Sequence, residues 1–386
     1  MAILYKVQTG AYKSAVRATV AAAGMRNALK KAGIKDVSVA VINSGGYYKV
    51  QEGAFASKAN AERRRDLIRS AGIYAVVLET KTQDPEEISP DTTPAEDSQE
   101  APAAKPHRIR VAALAFFDNG TGAFGDCTAL IEYGDDDKTV AHAVLIDTAQ
   151  SKSAANVIKK LKALGVKRLD AIIISHAHGD HYGGTTSIIK AFPTADIYVP
   201  DPTELDKYQK SYGNNLRNQY KKAKGHYLKR GTTFAIGNMI ISCAYICPAS
   251  ALKEHDSHHF VNNQSAVMRI NLNGWIYHTA GDLQNEANRV LINAVKNLKA
   301  DIFKCQWHGD ANACSEAICR AVKPLVAFSN YNRKEHSGRD RTRKRLEAVG
   351  SVVARNYENG DIYIDCLPDT MKLSCSKKNL SKLFRR

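Results

Sequence analysis

Residues 175–184 read SHAHGDHYGG, which puts three histidines and one aspartate within six positions, directly after the apolar run 171–174. A short apolar run before such a turn reads as a buried strand. The cluster then sits at a strand's carboxyl end, where layered α/β proteins assemble their sites. Packed against buried isoleucines, so many imidazoles and carboxylates have little purpose as a bare polar loop. Together they suit zinc, manganese or iron. Four ligands rarely complete a catalytic centre, and two later segments offer more. WIYHTAGD (275–282) reads as a strand delivering Asp282, and DIFKCQWHGD (301–310) as a strand delivering His308. An aspartate placed between two ions can bridge them. Upstream, Val157, Leu161 and Leu164 mark one face of a helix at i, i+4 and i+7. Apolar strands alternating with amphipathic helices make this part of the chain α/β.

Residues 81–107 break the pattern. They hold five of the eleven prolines and seven acids against two lysines, without hydrophobic periodicity, as expected of an extended linker. Before the linker, YKVQTGAY (5–12) recurs as YKVQEGAF (48–55), 43 residues later. Each copy reads as a strand, and each precedes an alanine- and charge-rich helical segment, 14–31 and 57–70. With further strands over 37–42 and 73–79, the order is βαββαβ, a ferredoxin-like arrangement. The two Val-Gln-x-Gly-Ala-aromatic strands in that order make residues 1–80 resemble a SPOR domain, the bacterial module that binds peptidoglycan glycan strands. The resemblance implies an exposed sheet face that binds glycan, with Gln8, Tyr12, Tyr48, Gln51 and Phe55 as candidate contacts.

His-x-His-x-Asp-His after an apolar strand resembles the metallo-β-lactamase fold, an αββα sandwich, here expected over 108–370. GDCTALIEYG and VLIDTA resemble its first hairpin and Asp-Thr-Gly strand end, with Ala149 in place of the usual glycine. NNQSAVMRI, HTAGDL, WHGD and SNYNRKEHSG follow in an order most similar to the ComEC-like branch, whose domain is thought to act as a nuclease on DNA. The resemblance implies that His176 and His178 bind a first metal. Asp180 and His181 bind a second, with His308 as its distal ligand and Asp282 as the bridge. One or two divalent ions, zinc or manganese, are the expected cofactors, with Asp180 and Asp282 orienting the activated water. His336 is a candidate to contact the substrate or protonate the leaving oxygen, beside Asn332. Two departures stand out. Where the superfamily supplies a third histidine to the first metal, this chain reads KEHDSHHFVNNQS; Asn262 or Asn263 aligns there, with His255, His258 and His259 as neighbours, and Asn263 is carried as the candidate. The branch's His-His-Gly is Trp307-His308-Gly309.

The net charge of +16 favours an anionic partner. It lies outside the acidic linker. In the segment 207–230, lysines and arginines, Lys221 and Lys222 among them, interleave with four tyrosines, a pattern that suits single-stranded nucleic acid or a polyanionic wall polymer. Arg333 adds charge near the expected mouth, and 371–386 reads as a flexible basic tail. No stretch approaches the ~18 apolar residues of a membrane span. The eight cysteines show no Cys-x-x-Cys pair, as expected of buried or free thiols made in a reducing compartment. The N-terminus shows no signal-peptide pattern, so the expectation is synthesis in the cytoplasm and action at the wall after non-classical release or lysis. The leading expectation is a metal-dependent phosphodiesterase or nuclease targeted to peptidoglycan. The alternatives are a hydrolase of teichoic-acid phosphodiesters or of peptidoglycan itself, and a non-catalytic wall-binding protein.

Overall fold

The computed structural model describes residues 3–12, 22, 25, 29, 38–44, 47–70, 75–81, 107–116, 124–330, 337–377 and 380–386. The chain divides into two units, Met1–Lys105 and Pro106–Arg386.

In the N-terminal unit, β1 (Ile3–Tyr12), β2 (Val39–Ser44), β3 (Tyr47–Phe55) and β4 (Val76–Lys81) form an antiparallel sheet in the order β2-β3-β1-β4. Strands β2 and β4 begin two or three residues later than the sequence pattern suggests. Helix Lys58–Ser70 links β3 to β4, and Ala22, Met25 and Leu29 are helical and buried between β1 and β2. This is the βαββαβ arrangement. The repeat has a geometric counterpart: Gln8 pairs with its own equivalent Gln51, while Tyr5 faces Phe55 and Tyr12 faces Tyr48. The two copies therefore meet about a local two-fold axis, at which Gln51 Nε2 donates to Gln8 Oε1 at 3.2 Å. Strand alternation sends Val7 and Val50 into the core and Gln8 and Gln51 to the opposite face. Phe55 departs from the expected glycan face. An extra β3 residue in the register between Val7/Glu52 and Tyr5/Phe55 reverses the parity, and the Phe55 ring packs against the core. The side chains of Tyr12 and Tyr48 lie outside the described residues.

The C-terminal unit contains two sheets. β5 (Ile109–Ala113), β6 (Thr128–Tyr133), β7 (Val140–Ile146), β8 (Leu169–Ile173), β9 (Thr194–Pro200) and β10 (Lys224–Leu228) belong to the first. The second holds β11 (Thr233–Ile236), β12 (Met239–Tyr245), β13 (Val267–Leu272), β14 (Trp275–Thr279), β15 (Ile302–Lys304), β16 (Val326–Ser329) and β17 (Val352–Arg355) in sequence order. β18 (Ile362–Cys366), β19 (Thr370–Cys375) and β20 (Lys382–Arg385) return to the first sheet, whose order is β10-β9-β8-β7-β6-β5-β18-β19-β20. Central strands such as β6, β8 and β16 are mostly apolar because both of their faces are covered. Val111, Leu130, Val144 and Ile173 meet Met268, Ile270, Tyr277 and Phe328 between the sheets. Their neighbours Ala112, Ile131, Leu145 and Ile172 pack outward under helices, including Val157 and Leu161 of helix Ala154–Ala163. The layers are helix, sheet, sheet, helix.

Residues 371–377 and 380–386 are not a flexible tail. β19 pairs with β18 and β20 with β19. Met371 and Leu373 are buried while Lys372 between them faces out, the period-two alternation of a half-buried strand. The Arg386 guanidinium lies 3.9 Å from the Trp275 ring centroid. The eight cysteines are free thiols, seven of them buried. Among the described residues, no helix is long and apolar enough to cross a membrane.

Candidate metal centre

Four chain segments converge at one edge of the two sheets. β8 runs into the 175–181 turn, β14 into Gly281-Asp282, and β15 into Trp307-His308. The fourth is Asp126, two residues before β6. Because β6 is antiparallel to β7, its start lies beside the end of β7, with Thr128 opposite Ile146. Gly125 makes this possible: at φ +116°, any side chain there would collide with the Asp180 carbonyl, and Asp126 N–H donates to that same carbonyl at 3.1 Å.

The side chains meet at hydrogen-bond range. His181 Nε2 and His308 Nε2 lie 3.2 and 3.3 Å from Asp282 Oδ2, and 3.7 and 3.1 Å from Asp180 Oδ2. One donor atom from each of Asp126, His181, Asp282 and His308 falls within 4.8 Å of all the others, and all four residues are buried. Beside them, His176 Nε2 is 3.0 Å from His178 Nδ1; two nitrogens on one tetrahedral zinc would stand about 3.3 Å apart. His181 Nε2 and Asp282 Oδ1 are buried without a hydrogen bond. The Nε2 atoms of His181 and His308 converge with the Oδ2 atoms of Asp180 and Asp282, and among the described residues four carboxylates (Asp126, Asp147, Asp180, Asp282) stand with the ammonium of Lys304, a set that fits a divalent cation.

The electrostatics follow from this crowding. Burial opposes charge on His181, but Asp282, Asp180 and Asp147 hold its pKa well above the ordinary value. Asp282 and Asp126 do the same for His308. Burial, reinforced by neighbouring histidines, holds His176 and His178 below theirs, which leaves both rings neutral and able to ligate. Burial would raise the carboxyls of Asp126, Asp180 and Asp282. Lys304 and His308 at Asp126, and His181 and His308 at the other two, outweigh it and keep all three low. The His308 loop is also conformationally costly: Trp307 (φ 45°), His308 (φ 53°) and Gly309 (φ 87°) are left-handed in succession, and non-glycine residues there cost about 1–3 kcal/mol each.

The structure brings together His176, His178, Asp180, His181, Asp282 and His308. It does not bring Asn263, whose Oδ1 accepts the Gln284 N–H at 3.0 Å. Its neighbour Asn262 faces His178 closely enough to favour the charged ring, and Asn262 Oδ1 is buried without a hydrogen bond. On helix His258–Asn263 the two asparagines project about 100° apart, and only the first points at the histidines. His255 is stacked on Tyr208 and bonded to the Ala249 carbonyl, and His259 bonds Gln284. Helix Lys210–Tyr220 reaches the site through Tyr212, whose ring meets His178 edge-on at 5.5 Å. Lys221 and Lys222 lie past its other end, about 15 Å along the axis, where Lys222 Nζ donates to Thr186 Oγ1 and Gln219 Oε1; they are not part of this cluster. Asn332, Arg333 and His336 lie outside the described residues. Asp126, Asp147 and Lys304 were not anticipated as site residues. Their signals are a Gly-Asp pair before an apolar strand, an aspartate ending another, and a lysine inside the apolar run IFKCQW.

The metallo-beta-lactamase superfamily model matches residues 130–240, and the SPOR domain model matches residues 2–79. ComE operon protein 3 of Bacillus subtilis is 25% identical over 211 residues, 53% of this chain and 26% of that protein. Recombination protein 2 of Haemophilus influenzae is 22% identical over 253 residues, 63% of this chain and 29% of its own. The chain thus spans less than a third of these curated relatives. A solved structure, the peptidoglycan binding domain of the B. subtilis cell wall lytic enzyme CwlC, is 36% identical, covering 21% of this chain and 94% of that one with a TM-score of 0.18. Fold and site define a metallo-β-lactamase-fold hydrolase unit joined to a second, small module. That module is a SPOR domain, and the larger one is of the ComEC-like kind.

Proposed function

We propose that the C-terminal unit is a metal-dependent phosphodiesterase, nuclease-like in its chemistry, and that the SPOR domain carries it to peptidoglycan. The observation that carries the reading is the convergence of His181 Nε2, His308 Nε2, Asp180 and Asp282 beside the His176–His178 pair. Bound divalent ions would supply Lewis acidity and a nucleophile at neutral pH. Asp180 and Asp282 stay ionised and orient that nucleophile, while Asp147 and Asp126 fix the two histidine rings through Nδ1. A net charge of +16 favours a polyanionic substrate, and a relative named for recombination favours nucleic acid among the polyanions. The SPOR match supports a second reading, in which the same chemistry acts on teichoic-acid phosphodiesters or on peptidoglycan.

The test is chelator-treated full-length protein given Zn²⁺ or Mn²⁺ with DNA, RNA, bis-(p-nitrophenyl) phosphate and purified cell walls. Metal-dependent cleavage of the first three supports the phosphodiesterase. Phosphate or muropeptide release from walls alone supports the second reading. Inertness towards every substrate would leave a wall-binding protein. Pull-down on purified peptidoglycan, with residues 1–80 deleted as the control, tests the targeting. Synthesis in the cytoplasm followed by release on lysis completes the proposal, and wall association appearing in intact growing cells would contradict it.

A further inference from the structure

Helix Glu316–Val322 follows the loop that carries His308, and helix Ser337–Glu347 packs beside it. Between them the surface opens into a groove of about 450 Å³, lined by Glu316, Arg320, Lys323, Arg345, Ala348 and Val349. Helical spacing explains this lining. Residues 316, 320 and 323 stand at i, i+4 and i+7 on one face of the first helix. Residues 345, 348 and 349 share a face at the end of the second, where the Ala348 N–H still donates to the Lys344 carbonyl at 2.9 Å. Three cations thus share the groove with one carboxylate. Glu316 is taken up by Arg320, whose Nη2 donates to its Oε1 at 2.7 Å. That leaves Lys323 and Arg345 without a carboxylate in ion-pair contact among the described residues.

Arg345 is half-buried and held in place, because its Nη1 donates to the Ala311 and Cys314 carbonyls, both at 2.9 Å. One nitrogen of its planar fork serves the protein, and a fork fixed in this way suits a phosphate. Lys323 is exposed and ends its helix in the left-handed region, at φ 43°. A cation at a helix's carboxyl end complements the dipole, which accounts for Lys323 but not for Arg345 across the groove. The volume falls in the range of about 300–1,000 Å³ typical of small-molecule sites, and Ala348 and Val349 add an apolar wall. Arg345 also joins this groove to the metal centre. Ala311 and Cys314 close the loop that begins at Trp307-His308, and Arg339 of the same helix donates from Nε to the His308 carbonyl at 3.2 Å.

We propose that this groove binds an organic phosphate of about mononucleotide size, and that Arg345 links its occupancy to the loop carrying His308. Lys323 and the remaining donors of Arg345 take the phosphate, while Ala348 and Val349 lie against the less polar part of the ligand. The groove and the metal centre share no residue, and the inference is independent of which bond the enzyme cleaves.

Full-length protein is titrated calorimetrically with adenosine 5′-monophosphate, with adenosine and inorganic phosphate as controls. One equivalent should bind saturably, at least about tenfold tighter than either control. Lys323→Asn removes the charge but keeps a residue that tolerates the left-handed backbone; it should weaken binding at least about tenfold, and Lys323→Arg should retain it. His181→Ala, which disables the metal centre, should leave the affinity unchanged. Trp307 reports the link to the loop: saturation should shift tryptophan emission in the wild type but not in Trp307→Phe. Absence of binding, binding that survives Lys323→Asn, or binding abolished by His181→Ala would overturn the site. Inorganic phosphate binding as tightly as the nucleotide would overturn the assigned ligand class, and unmoved emission would overturn the link. None of these readouts uses hydrolysis, so failure to cleave phosphodiesters would leave the proposal standing.

Discussion

Replacing Lys304 with methionine should cost the metal-free protein about 3–5 kcal/mol. The Lys304 side chain is 3% exposed, and its ammonium is paired with Asp126 and donates to the Gly281 carbonyl. Methionine preserves most of the stem packing, so the loss is electrostatic. Asp126 retains His308 but loses the buried cation paired with it. Removing one partner of a buried pair costs about 3–5 kcal/mol, whereas replacing both with neutral groups is often close to neutral. The double variant Asp126→Asn/Lys304→Met should therefore be more stable than the sum of the single variants predicts, by about 2 kcal/mol. The assay is thermal and urea unfolding of chelator-treated protein, followed by circular dichroism and tryptophan fluorescence. At about 2–4 °C per kcal/mol for a domain of this size, Lys304→Met should lower Tm by at least about 6 °C. A loss under about 1 kcal/mol, or strict additivity in the double variant, would refute the claim that this pair is buried and coupled.

Replacing His181 with alanine should reduce phosphodiester cleavage to background while the apolar core, and hence the far-ultraviolet circular dichroism, is unchanged; activity within a fewfold of wild type would remove His181 from the centre. Deleting residues 380–386 should destabilise the protein by at least about 1 kcal/mol, because it strips β20 from β19 and the Arg386 guanidinium from the Trp275 ring; an unchanged unfolding midpoint would restore the picture of a free tail. Asp170→Asn should cost about 1 kcal/mol at neutral pH. Burial would raise the Asp170 carboxyl, but His142, the Ala143 N–H and Arg168 hold it below its ordinary range. The stabilisation is therefore present above the unfolded value of about 3.9 and is lost as pH falls through the lower folded value. Urea midpoints across that range should converge for the two proteins, and a gap that persists in acid would contradict the assignment.

What the sequence revealed depended on whether a residue's role could be read from neighbours a few positions away. The histidine turn, the strands before Asp282 and His308, and the βαββαβ order are local patterns, and the structure places them where those patterns point. Ala149 is also intelligible: it sits at φ 55°, a backbone state in which glycine is relaxed and alanine is not, as the resemblance of VLIDTA to an Asp-Thr-Gly strand end implies. Asp126, by contrast, meets Asp180, His308 and Lys304 only because β6 runs antiparallel to its neighbours, so that a strand's beginning shares an edge with other strands' ends. No short spacing encodes that juxtaposition. The choice between Asn262 and Asn263 turned on a helix phase of one residue, about 100°, finer than an alignment resolves. Phe55 misled through a bulge that reverses strand parity, which repeat matching cannot register. Residues 371–386 misled through composition, because the basic residues that suggest a tail also cover the outer side of strands whose Met371 and Leu373 are buried. In each case the deciding quantity was a strand register or a helix phase, and these follow from the packing of distant segments against one another.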